Sequence, residues 1–244
     1  MLVSVYLKEP GHITEDSTIR AAADAALAGH GCYSVAITAS MIFPYKAWER
    51  AGRPNRTIFF DWYLERYLPR LKARARANQY GTYFERMVAF TGARPSKEFA
   101  VCNQLDRLVA DWTRRRPRPR RPRQSALQVA CFDPVKDLTG QAVRGFPCLQ
   151  QVSFSYDDSD GLAVSAYYPT EYIFDRGYGN YLGLCHLGIF MAHELGLKFV
   201  GLNCYIGQPL CGTAPKGYAR DLCVRLDRGK DPIESTYLPL REER

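Results

Sequence analysis

From Gly177 to His193 the chain runs without a single Asp, Glu, Lys or Arg. No other stretch constrains the fold as strongly. Two His, an Asn and several Gly interrupt it, which speaks against a membrane span. Residues 180–196 instead read as a long, mostly apolar helix ending at Gly196. No polar face can be drawn on it, so it is expected to be buried. A chain of 244 residues is long enough to build a core around it without disulfide staples.

Strand signals flank this helix. Residues 126–132, 150–156 and 161–168 read as strands, and Lys198 to Ile206 as a final central strand. Between two of them, Asp157-Asp158-Ser159-Asp160-Gly161 is a hairpin turn signal. Upstream the period changes. Residues 14–28 read as a helix capped by Thr14 or Ser17 and stopped at Gly29-His30-Gly31. A second helix covers 58–76, with Phe59, Tyr63, Tyr67 and Leu71 on its stripe. A third covers 98–113, with Phe99, Cys102, Leu105, Leu108, Val109 and Trp112 on its stripe. Cys32 to Ile42, apolar and partly β-branched, suits a buried strand or core segment. The expected fold class is α+β, a mainly antiparallel or mixed sheet packed with helices in a single domain over 1–244.

The net charge of +8 is local. Residues 114–123, RRRPRPRRPR, hold seven arginines, and without them the chain carries +1. Three prolines there forbid a regular helix and favour an extended, exposed loop. Such a loop is either solvated or a site for a phosphate or a polyanion, nucleic acid included. Hydrophobic content of 46% excludes a disordered chain. Lys8 and Glu9 arrive before any apolar run, so no signal peptide is read. The eight cysteines are scattered without a C-x-x-C pair, and reduced thiols in a cytoplasmic protein are the expectation. His193-Glu194 opens like a zinc-binding H-E-x-x-H helix, but position 197 is leucine and no metal site is expected. No phosphate-binding glycine loop or serine elbow is present.

One constellation is specific in its order: CFDPVKDL (131–138), FPCLQQVSFSY (146–156) and GLAVSAYYPTEYIFDRGYGNYLGL (161–184). It resembles the thymidylate synthase family, above all its shorter archaeal-type members. There a W-x-P strand end leads to Pro-Cys-Leu-Gln, a hairpin, an R-S-x-D segment and an Asn that opens a buried helix. The likeness is best over 126–206. Upstream, Asn78-Gln79-Tyr80-Gly81 matches the family's tyrosine–glycine turn.

The resemblance implies a thymidylate synthase-like fold, a homodimer, and one-carbon transfer from 5,10-methylenetetrahydrofolate to C5 of a uracil-type ring. The product would carry a methyl or a hydroxymethyl group. Cys148 falls on the nucleophile that adds to C6, a role that needs a low-pKa thiol. Asn180 falls on the asparagine that reads the ring, and it could equally cap the following helix. Tyr80 and Gly81 would shape the pocket. Pro169 stands where the family binds phosphate with arginine, and Thr170 on the serine beside it. Tyr172 stands on the aspartate directed at the folate pterin, and Tyr205 and Gly207 on the residues that hold the ribose hydroxyl. Ser125 and Ala126 replace the two arginines lent to the partner subunit, a charge that Arg121 or Arg123 could restore. These departures imply a tailoring enzyme acting on a pyrimidine nucleotide, nucleoside or derivative other than plain dUMP. The rival reading is an inactive relative that binds nucleotide or nucleic acid through the arginine loop.

Overall fold

The computed structural model describes residues 1–74, 80–91, 101–115, 121–140 and 147–227. Asn78, Gln79, Phe99, Phe146 and residues 116–120 of the arginine run lie outside them. The fold is α+β around a mixed five-stranded sheet, in the order β1-β5-β4-β3-β2. Its strands are β1 (Leu2–Tyr6), β2 (Gln128–Ala130), β3 (Gln151–Tyr156), β4 (Gly161–Tyr172) and β5 (Lys198–Leu210). Three of the pairings are antiparallel, and β4 and β5 run parallel at the centre. The parallel pair follows from the buried helix, which carries the chain from one end of β4 back to the start of β5.

Helices α1 (Ser17–Gly29), α2 (Val35–Ile42), α3 (Tyr45–Arg50) and α4 (Arg56–Trp62) come first. A π-helical turn, Tyr63–Tyr67, leads into α5 (Leu68–Arg74). Then follow α6 (Tyr83–Val88), α7 (Gln104–Arg115), the short α8 (Pro134–Asp137), α9 (Tyr178–Leu195) and α10 (Lys216–Asp227). Among the described residues no helix is long and apolar enough to cross a membrane.

The α9 helix is buried over most of its length, with His193 exposed near its end, because strands β4 and β5 cover one side and α2, α3 and α7 the other. Gly196 ends it in a left-handed conformation, with φ of 65°. The indole N–H of Trp112 in α7 donates to the Leu195 carbonyl at 2.9 Å and locks this end. At the β3–β4 hairpin, Asp157 accepts the N–H groups of Ser159 and Gly161, each at 2.8 Å. An Asx turn of this kind is what the Asp/Ser/Gly cluster encodes.

Three expectations are corrected here. The apolar run ending at Ile42 is the helix α2, capped by Ser34, and not a strand. Asp16, rather than Thr14 or Ser17, caps α1 by accepting the N–H groups of Thr18 and Ile19. Cys102 lies before α7, in an isolated bridge to Phe90. Strand β1 adds an unexpected edge to β5, with Leu2 opposite Tyr205 and Tyr6 opposite Gly201.

Candidate active site around Cys148

Cys148 sits just before β3, on a segment clamped from both sides. The Gln150 N–H donates to the Tyr167 carbonyl at 3.0 Å, and the Gln150 carbonyl accepts from Cys131 at 2.8 Å. Behind it, Arg86 of α6 makes a two-pronged ion pair with Asp137 at 3.0 and 3.2 Å. That buried pair fixes the 131–137 segment to α6.

The same helix supplies the contact to the thiol. Gly81 takes φ of 110°, a left-handed turn open to glycine and closed to most side chains. Thr82 then caps α6, and Glu85 completes a capping box. The next residue, Tyr83, brings its hydroxyl to the Cys148 backbone, accepting that N–H at 3.2 Å and the Leu149 N–H at 3.4 Å. Tyr80, three residues earlier, is about half exposed at 49%.

Opposite Cys148 stands a residue that the sequence did not single out. Glu171, near the end of β4, is 1% exposed. It accepts from the Asn180 amide at 2.8 Å and from the Tyr181 hydroxyl at 2.8 Å. Asn180 is buried in the first turn of α9, and the helix cap position is Gly177, so Asn180 serves as a side-chain partner of Glu171 and not as a cap. Burial pushes the Glu171 carboxyl up, and the two hydrogen bonds pull it partly back. Burial also pushes the Cys148 thiol up, and the Glu171 charge adds to this; the Tyr83 hydrogen bond and the Arg176 charge act the other way. The resting thiol is therefore not the low-pKa cysteine that the resemblance requires.

Tyr168, one face of β4 further in, is fully buried, and its hydroxyl has no partner among the described residues. Its surroundings are Tyr83, Glu171, Cys204 and Cys131.

The other expected site residues are dispersed. Thr170 is half-buried on β4 opposite Gln208, and Tyr172 is 45% exposed at the strand end. Strand alternation places Tyr205 on the opposite face of the sheet from Cys204, where its ring stacks on Tyr167 at 5.7 Å. Gly207 lies against the Pro169 carbonyl. Arg121 pairs with Asp160 at 2.5 Å and donates to the Asp157 carbonyl at 3.0 Å, at the hairpin end of β3. Cys148 lies beyond the other end, about 20 Å or more along the strand. Arg123, Ser125 and Ala126 are exposed beside Arg121. The fold thus joins Asn180 to Glu171, whose charge acts on Cys148, and keeps Arg121 and Arg123 at the far end of the hairpin.

Among the described residues no group of three or more His, Cys, Asp or Glu side chains could hold a metal ion. His186 stacks on Tyr45 at 4.2 Å, and His193 meets Trp48 edge-on at 5.3 Å. Glu171 and Tyr83 had only faint signals in the sequence: an acid within an otherwise apolar strand end, and a Thr-x-x-Glu capping box one residue ahead of a tyrosine. No protein-family model matches this chain, and the sequence of no curated protein matches it.

Proposed function

We propose that this protein is a thymidylate synthase-like enzyme that activates a uracil-type ring through Cys148 for one-carbon transfer to C5. The observation that carries the reading is the hydrogen bond between the buried Asn180 amide and the buried Glu171 carboxyl, whose charge acts on the half-buried Cys148 thiol. In this reading the Cys148 proton passes to Glu171 as Sγ bonds to C6. The C5=C6 electron pair moves onto C5 and O4, and C5 becomes a carbon nucleophile. Asn180, its amide held by Glu171, presents its carbonyl edge to the ring. The protonated Glu171 carboxyl stabilises the negative charge at O4. A solvent proton adds to C5, and the hydrogen first carried there is lost from the resulting CH2 carbon. Elimination of the sulfur with return of its proton restores the ring, so hydrogen at C5 exchanges with solvent.

When bound, 5,10-methylenetetrahydrofolate would supply the one-carbon unit. Tyr80 and Tyr172, each about half exposed on the segments that carry Tyr83 and Glu171, offer flat faces for a pterin. The Tyr172 hydroxyl both donates and accepts, in place of a carboxylate.

The same reading expects a homodimer, and the sheet leaves a face for one. The row Ser4, Asn203, Ser165, Ser153 and Gln128 crosses all five strands, half-exposed or exposed and without a charge. The stacked Tyr167 and Tyr205 lie beside it. An uncharged sheet face fits a second copy of the chain. Ser165→Arg at its centre is expected to leave monomers in sedimentation velocity.

The deciding experiment is tritium release from C5-labelled uracil, uridine, UMP and dUMP. Release by the wild-type protein and its loss in Cys148→Ala, with the fold intact by circular dichroism, are expected. No release from any of the four, with or without 5,10-methylenetetrahydrofolate, overturns the reading.

A further inference from the structure

Arg176 lies in the π-helical turn Ile173–Gly177, between the strand end that holds Glu171 and the helix start that holds Asn180. Turns of this kind recur where a chain distorts a helix to present a side chain at a site. Its side chain is half-buried, with the guanidinium carbon 5.0 Å from the centre of the Tyr33 ring. Among the described residues no carboxylate comes within ion-pair distance of it.

The neighbouring acids are committed elsewhere. Asp175 accepts the backbone N–H and the hydroxyl of Thr213 at 2.9 and 2.8 Å. Glu171 holds Asn180 and Tyr181. Glu15 holds Arg20 and the Tyr178 hydroxyl. A partly desolvated guanidinium without a counter-ion keeps a fork of N–H donors that fits an oxyanion. The turn leaves β4 at the sheet end where the Gln150–Tyr167 hydrogen bond brings in the Cys148 segment, and the Asn180–Glu171 hydrogen bond closes it there. The Arg176 charge also acts to lower the Cys148 thiol.

We infer that Arg176 is the anion-binding residue of the Cys148 site, and that it takes a phosphate or carboxylate of the ligand on its guanidinium fork. Only the identity of the ligand's ring rests on the pyrimidine reading; the anion site stands on the surroundings of Arg176. A charge here, seven residues beyond Pro169, would restore from a different position what proline removes. A phosphorylated substrate would then remain acceptable despite the altered contacts. Two sources share the chemistry, the phosphate of a nucleotide and the glutamyl carboxylate of a folate.

The test uses Cys148 itself as the reporter. Its alkylation by anionic iodoacetate and by neutral iodoacetamide is followed on the peptide that contains it, by mass spectrometry, in wild type, Arg176→Met and Arg176→Lys. The iodoacetate-to-iodoacetamide rate ratio is expected to fall about threefold or more in Arg176→Met and to persist in Arg176→Lys. Inorganic phosphate should slow alkylation of the wild type and not of Arg176→Met. An unchanged ratio in a folded Arg176→Met overturns the anion site. Protection by dUMP over deoxyuridine, lost in Arg176→Met, assigns the phosphate; protection by folic acid over pterin assigns the carboxylate. A ratio that falls while no pyrimidine protects Cys148 upholds the anion site and removes the pyrimidine reading.

Discussion

The Tyr83 hydroxyl accepts the backbone N–H of Cys148 at 3.2 Å, which ties the start of α6 to the peptide of the candidate nucleophile. The Leu149 N–H reaches the same oxygen at 3.4 Å. With two donors feeding its oxygen, the phenol directs its own proton to Sγ, and that contact favours the thiolate. Tyr83→Phe leaves two backbone donors without an acceptor and the thiolate without a donor. The loss of stability should be about 1–3 kcal/mol. Alkylation of Cys148 by iodoacetamide should slow, and the midpoint of its pH profile should rise. A lower melting temperature with an unmoved midpoint would show that Tyr83 supports the segment only.

Glu171 makes an opposite demand on the fold. Its folded pKa is raised, so between the unfolded and folded values the native state holds a proton that the unfolded chain has lost. Stability from this group is present at low pH and declines as pH rises through that window. Glu171→Gln removes the decline and keeps an amide oxygen able to accept from Asn180 or Tyr181. The melting temperature at neutral pH should be equal to or above that of wild type, while C5 exchange falls by about tenfold or more. A clear loss of stability at neutral pH would identify the carboxylate as a structural anchor rather than a proton carrier.

Some of this was legible in the residues and some was not, for identifiable reasons. The α9 helix was legible because a stretch free of charge has one place to go. The β3–β4 hairpin was legible because Asp157 and Gly161 are themselves the turn. Cys148 and Asn180 stood out through the order of short motifs. Glu171 did not, because inward positions on β4 run 162, 164, 166, 168, and its burial breaks that parity. For Val35–Ile42 composition alone could not separate helix from strand. The Ser34 cap and the glycine-lined side of α9 decide it, and the second of these is a tertiary fact. The role of β1 was hidden because Leu2, Ser4 and Tyr6 face away from the core.

His186 gives an acid-side prediction. Burial lowers its imidazole from 6.5 to about 4, where it lies flat against Tyr45 at 4.2 Å and an interplanar angle of 8°. Below its ordinary value the unfolded chain takes up a proton that the folded imidazole refuses. Stability therefore falls as pH drops from 6.5 towards 4 and levels off below, by at most about 3 kcal/mol. His186→Phe keeps the stack without the titration. Denaturant titrations at pH 7, 6, 5 and 4 should show a flatter acid limb for the variant. Parallel curves would mean that the imidazole protonates in the fold as readily as in the open chain.

The closest helix contact offers a test in which two physical effects oppose each other. Gly179 and Gly183, one turn apart in α9, let α2 approach. A Cβ on Gly183 would lie 2.7 Å from the Ala39 carbonyl oxygen and 3.0 Å from its Cα. Helix propensity alone favours Gly183→Ala by about 1 kcal/mol. The clash is with backbone, which no rotamer can relieve, and overpacking of that kind costs about 1–3 kcal/mol or more. Packing should win, with a net loss of about 1–2 kcal/mol and a melting temperature lower by several degrees. Gly29→Ala, at the end of α1 with nothing within 4 Å of the new atom, is the control and should be neutral or slightly stabilising. Because the same helix carries Asn180 in its first turn, Gly183→Ala should also weaken the protection of Cys148 by ligands. A melting temperature that rises in Gly183→Ala would show that α2 yields to the added methyl, and that the glycine pair does not set the helix spacing.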